Sequence, residues 1–105
     1  MIIKICGIQN EKTLICCEEN GINFFGMIFY PKSPRNISKE NAKLLINISQ
    51  NLKINGVGVF VDRNIYEVEE LIKNIELRFV QLHGSESELY IKTLKKLGVK
   101  IIKTI

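Results

Sequence analysis

Short runs rich in β-branched and aromatic residues recur along this 105-residue chain at 2–6, 23–29, 56–61, 77–82 and 99–104. Between them lie amphipathic stretches that carry helix start and stop signals. Asn10 can cap a helix bearing Leu14, Ile15 and Cys17, and Gly21 can close it in a left-handed conformation. Ser38 can cap a second helix with Ala42, Leu45, Ile46 and Ser49 on one side. Asn64 with Glu67, and Ser85 with Glu88, have the spacing of capping boxes ahead of apolar helical faces, and Gly98 punctuates before the last run. The predicted order is therefore βαβαβαβαβ, which dictates parallel strands joined by right-handed crossovers.

The units are about 21 or 22 residues long, except the second, which is longer by about a dozen. The extra length falls at 29–38, after the C-terminal end of a strand, where α/β proteins carry their active sites. Two architectures fit this rhythm. One is a complete five-stranded, flavodoxin-like open sheet. The other is a (β/α)₈ TIM barrel, of which this chain would hold the first four and a half units; such barrels take roughly 200 residues or more. Periodicity alone does not separate them.

The bulk numbers narrow the function class. The longest apolar run, 24–30, is far short of the roughly 18 residues of a membrane span. The N-terminal apolar run is broken at Lys4 with no small-residue cleavage site after it, so neither a signal peptide nor a membrane partner is expected and the cytoplasm is the default location. Three cysteines, two of them adjacent, make a poor disulfide framework, and no Cys/His spacing suggests a metal site. The formal net charge of +4 is spread among Glu residues without a basic run. That argues against nucleic acid as a partner and fits an anionic small molecule.

Four stretches carry sharper information: KICGI at 4–8, FYPKSPR at 29–35, VGVFV at 57–61 and QLHGSES at 81–87. In this order and at these spacings they resemble the phosphoribosylanthranilate isomerases, (β/α)₈ enzymes of tryptophan biosynthesis. The resemblance covers the whole chain but about the N-terminal half of the family. It implies a single partial barrel domain, 1–105, without the C-terminal half that carries the family's general acid and glycine-rich phosphate loops. It also implies the family's reaction. This is the Amadori rearrangement of N-(5-phosphoribosyl)anthranilate to 1-(2-carboxyphenylamino)-1-deoxyribulose 5-phosphate, with no cofactor and no metal. A truncated fragment, a split gene and an incomplete gene would all give such a chain. On each, it would have little activity alone and would self-associate or be complemented by the missing half.

Individual residues keep more than one reading. Alternation places Lys4 and Cys6 on one face of a strand, about 6 to 7 Å apart along it. Alone, Cys6 reads first as a small buried hydrophobe; by match to KICG it is the general base, and a neighbouring ammonium would favour its thiolate. Gly7 would let the backbone turn and approach substrate. Arg35 would hold the anthranilate carboxylate through its planar guanidinium, against the alternative of a solvated loop arginine in a PxxP segment. Gln81 and His83 share a face and would bind or position substrate, against the alternative of a satisfied core histidine. Asp62 reads as a rim residue and helix-start anion, and Cys16 and Cys17 receive no chemistry. A non-catalytic half-barrel that dimerises, and another phosphosugar barrel enzyme with a metal, are the competing classes.

Overall fold

The computed structural model describes residues 3–103. Five parallel strands alternate with four helices: β1 (Lys4–Cys6), α1 (Glu11–Glu19), β2 (Phe24–Ile28), α2 (Lys39–Ser49), β3 (Asn55–Phe60), α3 (Ile65–Ile75), β4 (Phe79–Leu82), α4 (Glu88–Lys95) and β5 (Lys100–Lys103). Each predicted run coincides with one strand, β3 beginning one residue earlier than its run, at Asn55. Ile2 and Thr104, which the sequence reading included in the first and last runs, lie outside the described residues.

The helix starts follow local chemistry. Asn10 Oδ1 accepts from the Thr13 N–H at 2.9 Å, Ser38 Oγ from Asn41 at 3.2 Å and Asn64 Oδ1 from Tyr66 at 2.9 Å. One expectation is corrected. The cap of α4 is Ser87, whose Oγ accepts from the Tyr90 N–H at 3.1 Å, and Ser85 lies in the preceding loop. The Ser-x-x-Glu spacing at Ser85 is met, but tertiary hydrogen bonds claim that loop first. Glu67 likewise forgoes a capping box and pairs with Arg63 at 2.8 Å, one helical turn away.

The strand order in the sheet is β1-β2-β3-β4-β5, every neighbour parallel. This decides between the two architectures. A flavodoxin-like sheet reverses direction after its first crossover and places helices on both faces. Here each crossover steps the same way, so right-handed connections put all four helices on one face. The flavodoxin-like alternative is thus set aside in favour of barrel winding. Among the described residues the sheet is open, with β1 and β5 as its edges.

Burial follows from that layering. Phe25, Met27, Phe60, Val80 and Leu82 are fully buried on the helix-covered side, packed with Leu14, Leu45, Val68 and Leu94. The register places the alternate residues on the concave face: Lys4, Phe24 and Asn55 in one row, Cys6, Gly26, Val57, Phe79 and Lys100 in the next, Ile28, Val59, Gln81 and Ile102 beyond. None of the described helices covers this face. Phe24 and Phe79 close its floor edge to face at 5.0 Å, with the Lys100 ammonium 6.0 Å from the Phe79 ring. Ile3, Ile5 and Ile102, all close to 40% exposed, lie on the two edge strands or beside them. None of the described helices is long and apolar enough to cross a membrane.

Candidate active site

The site is assembled on the concave face from the C-terminal ends of the strands. Alternation on β1 directs Lys4 and Cys6 to the same side, and Lys4 Nζ donates to Cys6 Sγ at 2.9 Å. The same ammonium donates to Gln81 Oε1 on β4. Three strand spacings separate β1 from β4, about 14 Å along a flat sheet, so curvature of the half-barrel is what lets these side chains meet. An ammonium is thereby held against the sulfur.

The wall beside Cys6 is bare backbone. Gly26 pairs with Cys6 in the β1–β2 ladder, and a Cβ at Gly26 would stand 2.7 Å from Cys6 Sγ. The glycine inside FFGMI was a legible sign of close approach that the sequence reading passed over. Gly7 then adopts φ +85°, a conformation L side chains rarely take, and its N–H donates to the Gly26 carbonyl at 2.9 Å. The Arg35 side chain lies across it: a Cβ at Gly7 would fall 2.6 Å from Arg35 Cδ. Gly7→Ala is therefore expected to cost about 1–2 kcal/mol from the backbone alone and to push Arg35 aside. Urea unfolding measures the first effect and titration with a carboxylate ligand the second.

Arg35 sits on the long loop after β2, which is folded rather than loose. Ser33 N–H donates to the Tyr30 carbonyl at 2.9 Å, Ser33 Oγ accepts from the Arg35 N–H at 3.1 Å, and Ile37 N–H returns to the Ile28 carbonyl at 2.9 Å. Gln9 ties this loop to the one after β1 through the Asn36 carbonyl. Arg35 is exposed, with its side chain against Gly7. His83 follows β4; its N–H donates to the Phe60 carbonyl at 2.9 Å and the residue is exposed, so the reading of a satisfied core histidine is set aside. Lys4, Cys6 and Gln81 thus meet directly, Gly7 and Arg35 adjoin them, and His83 stands on the rim two residues beyond Gln81.

The rim after the third and fourth strands carries hydrogen-bonded ties that the sequence does not show. Asp62, at φ +46°, receives the Ser85 N–H at 2.6 Å and leaves no room for a side chain at Gly84. Glu86 receives the Asp62 N–H at 2.9 Å, the Gly84 N–H at 3.0 Å and the Lys103 ammonium at 2.9 Å. Its side chain is 1% exposed. Burial alone would raise its pKa, but the bond from Lys103 and those from backbone N–H groups outweigh it and hold the carboxyl below the ordinary value near 4.5. A group depressed in the folded state contributes stability that is present above its unfolded value and lost as pH falls through the folded one. The urea midpoint of the chain should therefore fall below pH 4.5, and Glu86→Gln should flatten that part of the profile. An adjacent tie joins Tyr90 Oη to the Arg63 carbonyl at 2.7 Å; burial, with the Glu86 carboxylate next, pushes the phenol up to about 12.

Cys16 is exposed and Cys17 buried in α1, where burial and then Cys16 push the Cys17 thiol up. Two shallow cavities, about 400 and 430 Å³, lie at the opposite, N-terminal ends of the strands beside Arg78 and Glu76. They are remote from Cys6.

The sequence model of the N-(5'-phosphoribosyl)anthranilate (PRA) isomerase family matches residues 3–105. The N-(5'-phosphoribosyl)anthranilate isomerase of Maridesulfovibrio salexigens is 36% identical over all of this chain and 48% of its own. The phosphoribosyl anthranilate isomerase of Thermotoga maritima superposes with a TM-score of 0.90 at 33% identity, covering 98% of this chain and 50% of that one. A phosphoribosyl anthranilate isomerase in complex with reduced 1-(o-carboxyphenylamino)-1-deoxyribulose 5-phosphate superposes with a TM-score of 0.86 at 35% identity, covering 98% and 53%. The chain spans about half the length of the relatives it matches. With matching motifs, strand order and helix layering, the chain belongs to the phosphoribosylanthranilate isomerase family.

Proposed function

We propose that this chain forms the base-bearing half of an isomerase that converts N-(5-phosphoribosyl)anthranilate to 1-(2-carboxyphenylamino)-1-deoxyribulose 5-phosphate. A proton delivered to the ribose ring oxygen opens the ring to a Schiff base. The Cys6 thiolate removes the proton from sugar C2, and the resulting enolamine becomes the ketone. The reaction is an internal redox shift from C2 to C1, so no external oxidant or reductant enters. The observation that carries the proposal is the Lys4 ammonium bonded to both Cys6 Sγ and Gln81 Oε1 on the concave face. It supplies a counter-charge to the sulfur and fixes where the sulfur points. Arg35, adjoining Gly7, takes the anthranilate carboxylate. Gln81 and His83 bind the sugar side, and the glycine backbone at Gly7 lets substrate come close.

None of the five described strands contains Asp or Glu, and the rim carboxylates Asp62 and Glu86 are occupied by backbone N–H groups. The general acid and the phosphate anchor are accordingly assigned to the polypeptide that closes the barrel. The three free cysteines suit a reducing compartment, which supports a cytoplasmic location for the activity. The test is turnover of phosphoribosylanthranilate by the chain alone and by the chain fused to the C-terminal half of a relative. The proposal expects turnover from the fusion and little from the chain alone; an inactive, folded fusion would overturn it.

A second reading rests on the uncovered concave face and the half-exposed Ile3, Ile5 and Ile102 beside the edge strands. Unpaired edges and an open apolar face drive association. Sedimentation of the chain distinguishes the two: an obligate dimer favours a non-catalytic half-barrel that pairs with itself.

A further inference from the structure

We propose that Glu86 is a positioning residue, the clamp that fixes His83 over the site. This extends the isomerase reading, on which the catalytic consequence rests, though the clamp itself does not depend on it. A side chain's direction is set by the two peptide planes that flank its Cα. For His83 both are held. The preceding plane is fixed by the His83 N–H on the Phe60 carbonyl at 2.9 Å. The following plane is fixed by the Gly84 N–H on Glu86 Oε1 at 3.0 Å. Lys103 secures the next plane through the Gly84 carbonyl while pairing with the same Glu86 oxygen. The loop after β3 is locked in by exchange: the Asp62 N–H goes to Glu86 Oε2 and the Asp62 carboxylate receives the Ser85 N–H. Glu86 thus joins the loop after β3, the loop after β4 and the end of β5 at one buried carboxylate.

These bonds also explain the residue type. A carboxylate offers two oxygens to three donors and neutralises the ammonium, which a glutamine oxygen cannot do. With its side chain 1% exposed, Glu86 is screened from substrate and acts only through the backbone it holds.

His83 is the chain's single histidine, so its ring C2–H proton signal reports one site. The experiment compares the chain with its Glu86→Ala, Glu86→Gln and Lys103→Met variants by that signal and by amide exchange. Glu86→Ala should speed exchange of the Asp62 and Gly84 amides about tenfold and move the His83 signal toward its position in an unstructured peptide. The Val57 and Val59 amides in β3 should keep their protection. Glu86→Gln, which keeps an acceptor oxygen, should restore part of both effects. Lys103→Met leaves both amide bonds in place and serves should Glu86→Ala not fold; it should raise exchange two- to threefold and move His83 in the same direction. Unchanged rim exchange and an unmoved His83 signal would overturn the proposal. Loss of protection across β3 in step with the rim would also overturn it, by reducing Glu86 to a general stabiliser. No substrate enters these measurements, so an inactive fusion would refute the isomerase reading and leave the clamp standing.

Discussion

Replacing Cys6 by serine in the chain fused to a relative's C-terminal half is expected to lower kcat by about 10²- to 10⁴-fold, the usual contribution of a positioned general base. The substitution exchanges one small side chain for another of similar shape, so Lys4, Gln81 and Gly26 keep their places. It leaves an alcohol, which is not ionised near neutral pH and cannot accept the C2 proton. KM should change little, because the proton transfer matters in the transition state and the proposed ground-state contacts are to Arg35, Gln81 and His83. Steady-state kinetics give both numbers. A fall below tenfold would move the base elsewhere and return Cys6 to the role of a small packed residue beside Gly26.

Removal of the Phe60 ring is expected to have the largest effect on stability. Phe60 is fully buried at the end of β3 and stacks on Phe29, centroids 5.1 Å apart and rings 10° from parallel. Aromatic-to-alanine changes in cores cost about 3–5 kcal/mol, against a total of about 5–15 kcal/mol for a typical domain. A half-barrel with an uncovered inner face has less to spare than most. Phe60→Ala should therefore abolish or strongly broaden the cooperative urea transition followed by circular dichroism. Tyr66→Ala, at a side chain 75% exposed on α3, should shift stability by no more than about 0.5 kcal/mol. Equal effects of the two would mean that the helix-covered side is not the core.

Much of the fold is local and was legible as such. Asn10, Ser38 and Asn64 cap helices because a side-chain oxygen two or three residues ahead of an unpaired N–H needs no tertiary help. Ser85 lies short of the helix, which starts at Glu88 with Ser87 as its cap, and its backbone is tied instead to Asp62, 23 residues away. Strand order was not legible from periodicity, since a singly wound half-barrel and a doubly wound sheet share the same alternation of strands and helices. The motifs, not the rhythm, pointed to the barrel.

The site divides in the same way. Lys4 and Cys6 share a face because strands alternate, which the sequence shows. Gln81 joins them from 77 residues away through sheet curvature, which it does not. Asp62 read as a helix-start anion, yet its left-handed backbone and its bond to Ser85 make it part of an interloop tie. Glu86 stands inside QLHGSES at 81–87, but nothing in that motif points to its role. Its role arises where three strand ends converge, and only the fold brings those together.

The most direct measurement is substrate consumption by four samples: the chain alone, the chain fused to a relative's C-terminal half, the Cys6→Ser form of that fusion, and the C-terminal half alone. Turnover is expected from the unmodified fusion, at least a hundredfold less from its Cys6→Ser form, and little from either half alone. Turnover by the fusion that is indifferent to Cys6, or equal turnover from the C-terminal half alone, would contradict the assignment of the base to β1.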